Sequence, residues 1–258
     1  MNPAPIFAEE RKDKILSILE KQLKVTVPEL SRIFGVSEVT IRKDLKTLEN
    51  AGTLKRTHGG AISIHGTRFE LSTREKVVKN HEQKARIGKY AASLVTEGDS
   101  VILDSGTTTL EIARNLSDKK NVTVVVNDLN IASALEPVHG VDVIVLGGTL
   151  RKGVASLVGP ITEDALGRFY VDKLFLATNG IDVDRGVTTP DVIHAETKRK
   201  MTHVARQVIV VADSTKIGKA SFVSVAPLSR VDMIITDDGA RAESIREFED
   251  RGVRVVIV

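Results

Sequence analysis

The chain has 258 residues, of which 41% are hydrophobic and 28% charged, with a formal net charge of +3 and no cysteine. These are the proportions of an ordinary globular protein. The missing cysteines exclude disulfides and thiolate metal sites, and the longest apolar runs, such as Val208 to Ala212, are strand-sized rather than membrane-sized.

The opening residues, Met1-Asn2-Pro3-Ala4-Pro5, have neither the charged nor the apolar region of a secretory leader, so a cytoplasmic protein is expected. The charge is unevenly placed. Residues 1–60 carry eleven basic groups against eight acidic ones, and the rest of the chain is neutral. A basic head on a neutral body is the pattern of a module that binds a polyanion.

Ile15, Leu19 and Leu23 recur at helical spacing and predict a first helix over about Glu9 to Lys21. Val27, Leu30, Ile33 and Phe34 predict a short second helix that Gly35 stops. Ser37 is placed to cap a third helix reaching about Ala51, in which Ile41, Leu45 and Leu48 face inward. Glu38, Thr40, Arg42, Lys43 and Lys46 are thereby left on its flanks and outer face. Two helices joined by a tight glycine turn, the second one basic outside, form a helix-turn-helix. Its second helix fits a major groove, where Arg and Lys bond phosphates or guanine. Residues 53–62 follow as a basic hairpin with Arg56, His58 and a Gly59-Gly60 turn, which is the layout of a wing. The candidate contacts with double-stranded DNA are therefore Ser37, Glu38, Thr40, Arg42, Lys43, Lys46, Arg56 and His58.

These residues also carry a resemblance. Ser37-Glu38-Val39-Thr40-Ile41-Arg42-Lys43-Asp44-Leu45, followed by Leu54-Lys55-Arg56-Thr57-His58-Gly59-Gly60-Ala61, resembles the DeoR family of bacterial transcription regulators. The resemblance implies a winged helix-turn-helix with a DNA-binding role over residues 9–62.

From 63 to 81 no period is sustained, and this stretch, with Gly66, Thr67, Arg68 and Arg74-Glu75-Lys76, reads as a linker containing part of a helix. From Glu82 onward helical runs alternate with continuous apolar strands: 101–103, 122–126, 141–146, 174–177, 208–212, 233–236 and 253–258. Strands without polar alternation are buried on both faces. The expected fold is thus a mostly parallel α/β domain over 82–258.

The most informative stretch of that domain is Asp104-Ser105-Gly106-Thr107-Thr108-Thr109, between the strand Val101-Ile102-Leu103 and the helical pattern of Leu110, Ile112, Ala113 and Leu116. A glycine lets backbone approach a ligand, and hydroxyls crowd a helix start whose free N–H groups and dipole favour an anion. A simple helix cap at Ser105 or Thr107 is the plainer alternative. Further polar clusters follow the strands at Asn127-Asp128, Gly147-Gly148, Asn179-Gly180 and 213–216. In open α/β sheets, ligands bind outside the carboxyl ends of strands.

The resemblance continues through Asp104 to Thr109, Gly147-Gly148, Ala195-Glu196-Thr197-Lys198 and Ala212-Asp213-Ser214-Thr215-Lys216, which are similar to the effector domain of the same family. It implies a fold like that of ribose-5-phosphate isomerase and a phosphorylated sugar as signal. Ser105 to Thr109 would hold the phosphate, and Glu196, Lys198 and Lys216 would supply polar contacts. Within Val101 to Leu116 the likeness is to regulators of amino-sugar or hexitol use.

Three functions compete: a ligand-controlled repressor, a sugar-phosphate isomerase or deaminase with an accessory domain, and an architectural DNA-binding protein. Ribose-5-phosphate isomerases carry a Lys and a glycine run before their catalytic Glu. Here the region reads Arg185-Gly186-Val187-Thr188-Thr189-Pro190, which weakens the enzyme reading. The six histidines show no metal-ligand spacing, and each is assigned an ordinary surface or core role. The expectation is a homo-oligomeric repressor, dimer or tetramer, with no catalytic residue, metal or cofactor.

Overall fold

The computed structural model describes residues 7–22, 24–63 and 70–258. Leu23, the outermost tail, His65 and the glycine-containing part of the expected linker lie outside them. Two compact units divide at Glu70/Leu71. Residues 71–81, expected as part of the linker, therefore pack with the larger unit.

The first unit runs α1 (Ala8–Gln22), β1 (Lys24–Thr26), α2 (Val27–Phe34), α3 (Glu38–Asn50), β2 (Leu54–Thr57) and β3 (Gly60–Ser63). Ile15, Leu19, Leu30, Ile41, Leu45 and Leu48 form its core, and Val25, Leu54 and Ala61 close it from the strands. Each fully buried Leu or Ile contributes about 1.5–3 kcal/mol. Ile33, one of the residues whose spacing predicts α2, is half exposed. The start of α2 is fastened by a capping box in which Thr26 Oγ1 accepts the Glu29 amide (3.3 Å) and Glu29 accepts the Thr26 amide (3.4 Å). Gly35, left-handed at φ 64°, ends it. The strand β1 pairs with β3, so the expected two-stranded wing is a three-stranded sheet in the order β1-β3-β2. Gly60 permits that pairing, because a Cβ there would fall 1.9 Å from the Val25 carbonyl oxygen.

The second unit begins with α4 (Thr73–Val78) and α5 (His81–Ser93). It continues with β4 (Ser100–Leu103), α6 (Thr107–Arg114), β5 (Val122–Val126), α7 (Leu129–Leu135), β6 (Val141–Val145), β7 (Thr149–Arg151) and β8 (Ser156–Val158). Then come α8 (Pro160–Leu166), β9 (Val171–Ala177), β10 (Gly180–Asp182), β11 (Gly186–Thr189), α9 (Val192–Val204) and β12 (Ala205–Val211). The chain closes with β13 (Val223–Ala226), β14 (Met233–Thr236), α10 (Ala242–Asp250) and β15 (Arg254–Ile257).

Seven of these strands form one parallel sheet, ordered β15-β14-β12-β9-β4-β5-β6. Both faces are buried, as the unbroken apolar strands require. Ile102, Leu174, Leu176 and Val210 pack on one side with Leu166, Met201 and Phe248. Val101, Leu103, Val124 and Phe175 pack on the other with Ile87, Ile112 and Leu135. From the interior strand β4 the chain first winds outward through β5 and β6, then returns to β9 on the other side of β4. That reversal is a topological switch point, where loops diverge and leave a crevice. Two smaller antiparallel pieces, the hairpin β7-β8 and the sheet β10-β11-β13, are decorations that the strand periodicity does not predict.

Candidate functional site

In the first unit, the exposed side of α3 carries Arg42, Lys43 and Lys46, while Ile41, Leu45 and Leu48 are buried. Ser37 caps the helix by accepting the Thr40 amide (3.2 Å), and its hydroxyl also lies 3.0 Å from that of Thr40. Arg42 bonds Glu38 one turn back (2.6 Å), with both side chains about half exposed. A pair in that setting is worth about 0.3–0.5 kcal/mol and yields readily to a phosphate. Arg56 lies beside Glu49, which accepts its amide (2.9 Å), and His58 is exposed in the β2-β3 turn. Two charges counted in the basic head are withdrawn from its surface: Arg11 and Asp44 form a buried pair (2.6 Å) between α1 and α3. Burial usually excludes such charges, so this pair anchors α3 from behind.

In the second unit, the parallel strands deliver their carboxyl ends to one edge. The loop 104–109 leaves β4, Asn127 and Asp128 leave β5, and residues 177–179 leave β9. Gly106 extends the backbone beside Ala177, where an added Cβ would stand 2.7 Å from the Ala177 methyl. The first i→i−4 bond of α6 runs from the Leu110 amide to the Gly106 carbonyl (3.0 Å), so the amides before it have no acceptor in the helix. Thr107 and Thr108 are largely buried. Thr109 turns back and donates to the Gly106 carbonyl (2.9 Å), which holds the turn.

The floor of the site is ionic. Asp104 is fully buried, accepts the Ala177 amide (3.0 Å) and is bonded by Lys198, whose ammonium also donates to the Ala177 carbonyl (3.0 Å). Burial pushes the Asp104 carboxyl up from its usual range, and Lys198 opposes that. Lys198 thus bonds Oδ2 of Asp104 and the end of β9 together, which braces this edge of the sheet. Glu196, two residues from Lys198, faces solvent and pairs with Arg199 (2.5 Å). The helix places the two on different sides.

His194, read from the sequence as an ordinary histidine, belongs to this edge. Asp191 caps α9 by accepting the His194 amide (2.8 Å), and the ring Nε2 lies 3.0 Å from Ser105 Oγ. Burial, and then the charges of Lys198, Arg151 and Lys76, hold the imidazole well below its ordinary pKa, hence neutral. Several buried polar atoms at this edge have no hydrogen-bond partner among the described residues: Asp104 Oδ1, Asn127 Oδ1, Ser156 Oγ and His194 Nδ1. Each such atom costs about 1–3 kcal/mol unless something else satisfies it. Asp128 is also buried and caps α7 through the Asn130 amide (2.8 Å); burial raises its pKa to about 6.

The hairpin β7-β8 lies against these loops. Asn127 exchanges bonds with Leu157, its amide Nδ2 donating to the Leu157 carbonyl (3.0 Å) and its own carbonyl accepting the Leu157 amide (2.7 Å). Arg151 lies 3.5 Å from Asp191 at the start of α9. The Gly147-Gly148 turn leads into this hairpin. There Gly148 has φ 142°, and a Cβ on it would collide with Thr162 Oγ1 at 2.0 Å. Asn179, just before β10, accepts from Thr189 Oγ1 (3.2 Å) at the end of β11. Lys216 follows β12 and is partly exposed. Nearby, Asn80 donates to Asp213 (3.0 Å), and the buried Lys84 bonds the Lys76 and Lys79 carbonyls. Neither Asn80 nor Lys84 has a sequence signature beyond an ordinary helix start.

A cleft of about 400 Å³, lined by Thr73, Arg74, Leu110, Arg114 and Asn130 among others, lies on the outer side of α4, α6 and α7. It is open, and none of the strand-end residues described above lines it. No helix among the described residues is long and apolar enough to cross a membrane. Among them there is also no cluster of His, Asp or Glu suited to a metal.

A helix-turn-helix unit joined to an α/β unit with polar strand-end loops defines a regulator class rather than an enzyme. Comparison with known proteins agrees. Residues 11–67 match the DeoR-like helix-turn-helix domain, and residues 79–238 match the DeoR C-terminal sensor domain. The chain is 39% identical over 247 residues to the HTH-type transcriptional regulator GlpR of Haloferax volcanii, covering 96% of each. It is 38% identical over 234 residues to the transcriptional repressor AccR of Agrobacterium fabrum, covering 90% of this chain and 91% of that one. The chain belongs to the DeoR family of transcription regulators. Among solved structures, ribose 5-phosphate isomerase A of Methanocaldococcus jannaschii aligns with TM-score 0.41 and 14% identity over 54% of this chain and 55% of that one, too weak a likeness to bear on function.

Proposed function

We propose that this regulator represses a sugar-utilisation operon in the cytoplasm and releases its operator when a phosphorylated sugar binds the loops after β4, β5 and β9. The observation that carries this reading is the concentration of unpartnered buried polar atoms at a switch-point edge, beside a helix start rich in hydroxyls. The amides of the first turn of α6 and the hydroxyls of Ser105, Thr107 and Thr108 would hold the phosphate. Asn127, Asn179 and Lys216 would meet the sugar. Asp104 and Lys198 keep the floor rigid.

The same reading gives α3 the major groove, with Arg42, Lys43 and Lys46 as phosphate or base contacts and the wing residues Arg56 and His58 on the backbone or minor groove. A homo-oligomer, dimer or tetramer, would present paired heads to paired half-sites. Repression is favoured because AccR is named a repressor.

A route for coupling lies in the hairpin β7-β8. Its base is bonded to Asn127 and its turn holds α4, where the Thr73 amide donates to the Gly153 carbonyl (2.8 Å). A ligand that shifts Asn127 would thus shift the helix that follows the DNA-binding unit in the chain. A coupling of about 1–3 kcal/mol between ligand and operator suffices.

Calorimetry of Thr107→Val against a panel of sugar phosphates tests the site. A loss of binding supports it, and an unchanged affinity means that the phosphate is held elsewhere.

A further inference from the structure

We propose that His194 is itself a contact of the effector, its Nδ1 meeting a hydroxyl or phosphate oxygen of the bound sugar phosphate. The inference rests on the effector site proposed above and adds a residue to it. The ring is 3% exposed and is bonded on its other side, through Nε2, to Ser105 in the phosphate loop. Nδ1 is buried and has no partner among the described residues. A neutral imidazole presents one donor and one acceptor, and the Ser105 hydroxyl can serve either. Nδ1 can therefore donate to a phosphate oxygen or accept from a sugar hydroxyl, according to which tautomer Ser105 supports.

The charged groups around the ring suit an anion. The positive charges of Lys198 on α9, Arg151 on β7 and Lys76 on α4 all act on the imidazole. Of the acidic groups on or beside these elements, Asp104 is bonded by Lys198, Asp191 lies against Arg151 and caps α9, Glu196 pairs with Arg199, and Glu75 accepts the Ser72 amide. Asp128, at the end of β5, caps α7. A ligand anion would meet an imidazole that burial, and after it these cations, hold neutral. His194 also joins the loop of β4 to the start of α9, so its second nitrogen would let one ligand draw on both elements.

The test separates the two ring nitrogens. Asparagine places its amide where Nδ1 stands, and glutamine places its amide where Nε2 stands. Wild type, His194→Gln, His194→Asn and Thr107→Val are titrated by calorimetry with ribose 5-phosphate, fructose 6-phosphate, glucose 6-phosphate and inorganic phosphate, and their thermal unfolding is recorded. For whichever sugar phosphate the wild type binds best, His194→Gln should lose about tenfold in affinity, about 1.4 kcal/mol. His194→Asn should lose less. In ¹⁵N-imidazole spectra of the wild type, the Nδ1 resonance of His194 should move on saturation with that probe.

If Thr107→Val loses binding while His194→Gln binds like wild type, the His194 contact is wrong and the phosphate site stands. If neither variant alters binding, or the wild type binds none of the probes, the site itself is misplaced and the contact falls with it. Should His194→Gln unfold early, the spectra decide, and an unmoved Nδ1 resonance at saturation overturns the proposal.

Discussion

Lys198, in the middle of α9, reaches the carboxylate of Asp104 at the end of β4, and the two side chains are only 2% and 0% exposed. The contact ties a helix to a strand that lies 94 residues away in the chain. Removing one partner leaves an uncompensated buried charge, which typically costs about 3–5 kcal/mol. Urea denaturation of Lys198→Met should show a loss of that order. The double variant Asp104→Leu/Lys198→Met should recover most of it. A single variant as stable as wild type would mean that water reaches the pair.

Gly106→Ala should destabilise the protein by about 1–3 kcal/mol, because its methyl would enter a space already filled by Ala177. Adding Ala177→Gly vacates that space. The double variant should melt closer to wild type than Gly106→Ala does, and a failure to do so would place the strain elsewhere.

Asp128 gives a pH dependence. Its carboxyl is held at about 6 by burial, above the roughly 3.9 of an unfolded chain. The folded state therefore binds more protons between those values. This group's stabilisation is complete below about pH 4 and is lost as pH rises through 6, by about 2–3 kcal/mol at most. Asp128→Asn keeps an N-cap acceptor without the charge. It should raise stability at pH 8 relative to wild type and flatten the profile between pH 4 and 7.

Thr73→Pro isolates the hairpin route. Thr73 is the first residue of α4, a position that suits proline, and Ser72 before it is already extended. The substitution deletes the amide that Gly153 accepts and leaves the helix intact. Sugar-phosphate affinity should stay within about twofold, about 0.4 kcal/mol, while ligand-induced release from operator DNA is reduced. Release equal to that of wild type would remove the hairpin from the coupling.

Arg42→Ala bears on the DNA face. Its side chain is held only by an exposed pair with Glu38, so stability should change by less than about 0.5 kcal/mol. Operator affinity should fall, and if the contact is to phosphate the salt dependence should weaken by about one ion. An unchanged operator affinity would shift recognition away from this part of α3.

Much of this protein follows from local pattern. Ile41, Leu45 and Leu48 define the buried side of α3 because helical period is a property of neighbouring residues, while Gly35 marks the end of α2 and Ser37 the start of α3 by backbone and capping preferences. The unbroken apolar strands identify a sheet covered on both faces, and the hydroxyl-rich loop stands out because it joins such a strand to a helix. Long-range pairing leaves no comparable trace. The strand β1 is three residues of ordinary composition, and it became part of the wing sheet only because β3 lies within bonding reach. The Glu196 to Lys198 segment offered two charged residues, and only packing on β9 decided that one would be buried and the other solvated. His194 carried no motif at all; its place beside Ser105 comes from α9 returning over the sheet edge. The sequence by itself determined the three helices of the head and the seven strands of the parallel sheet, because those depend on interactions a few residues apart. Tertiary structure alone decided which polar groups meet at the strand ends, because burial and partnership there depend on segments tens of residues apart.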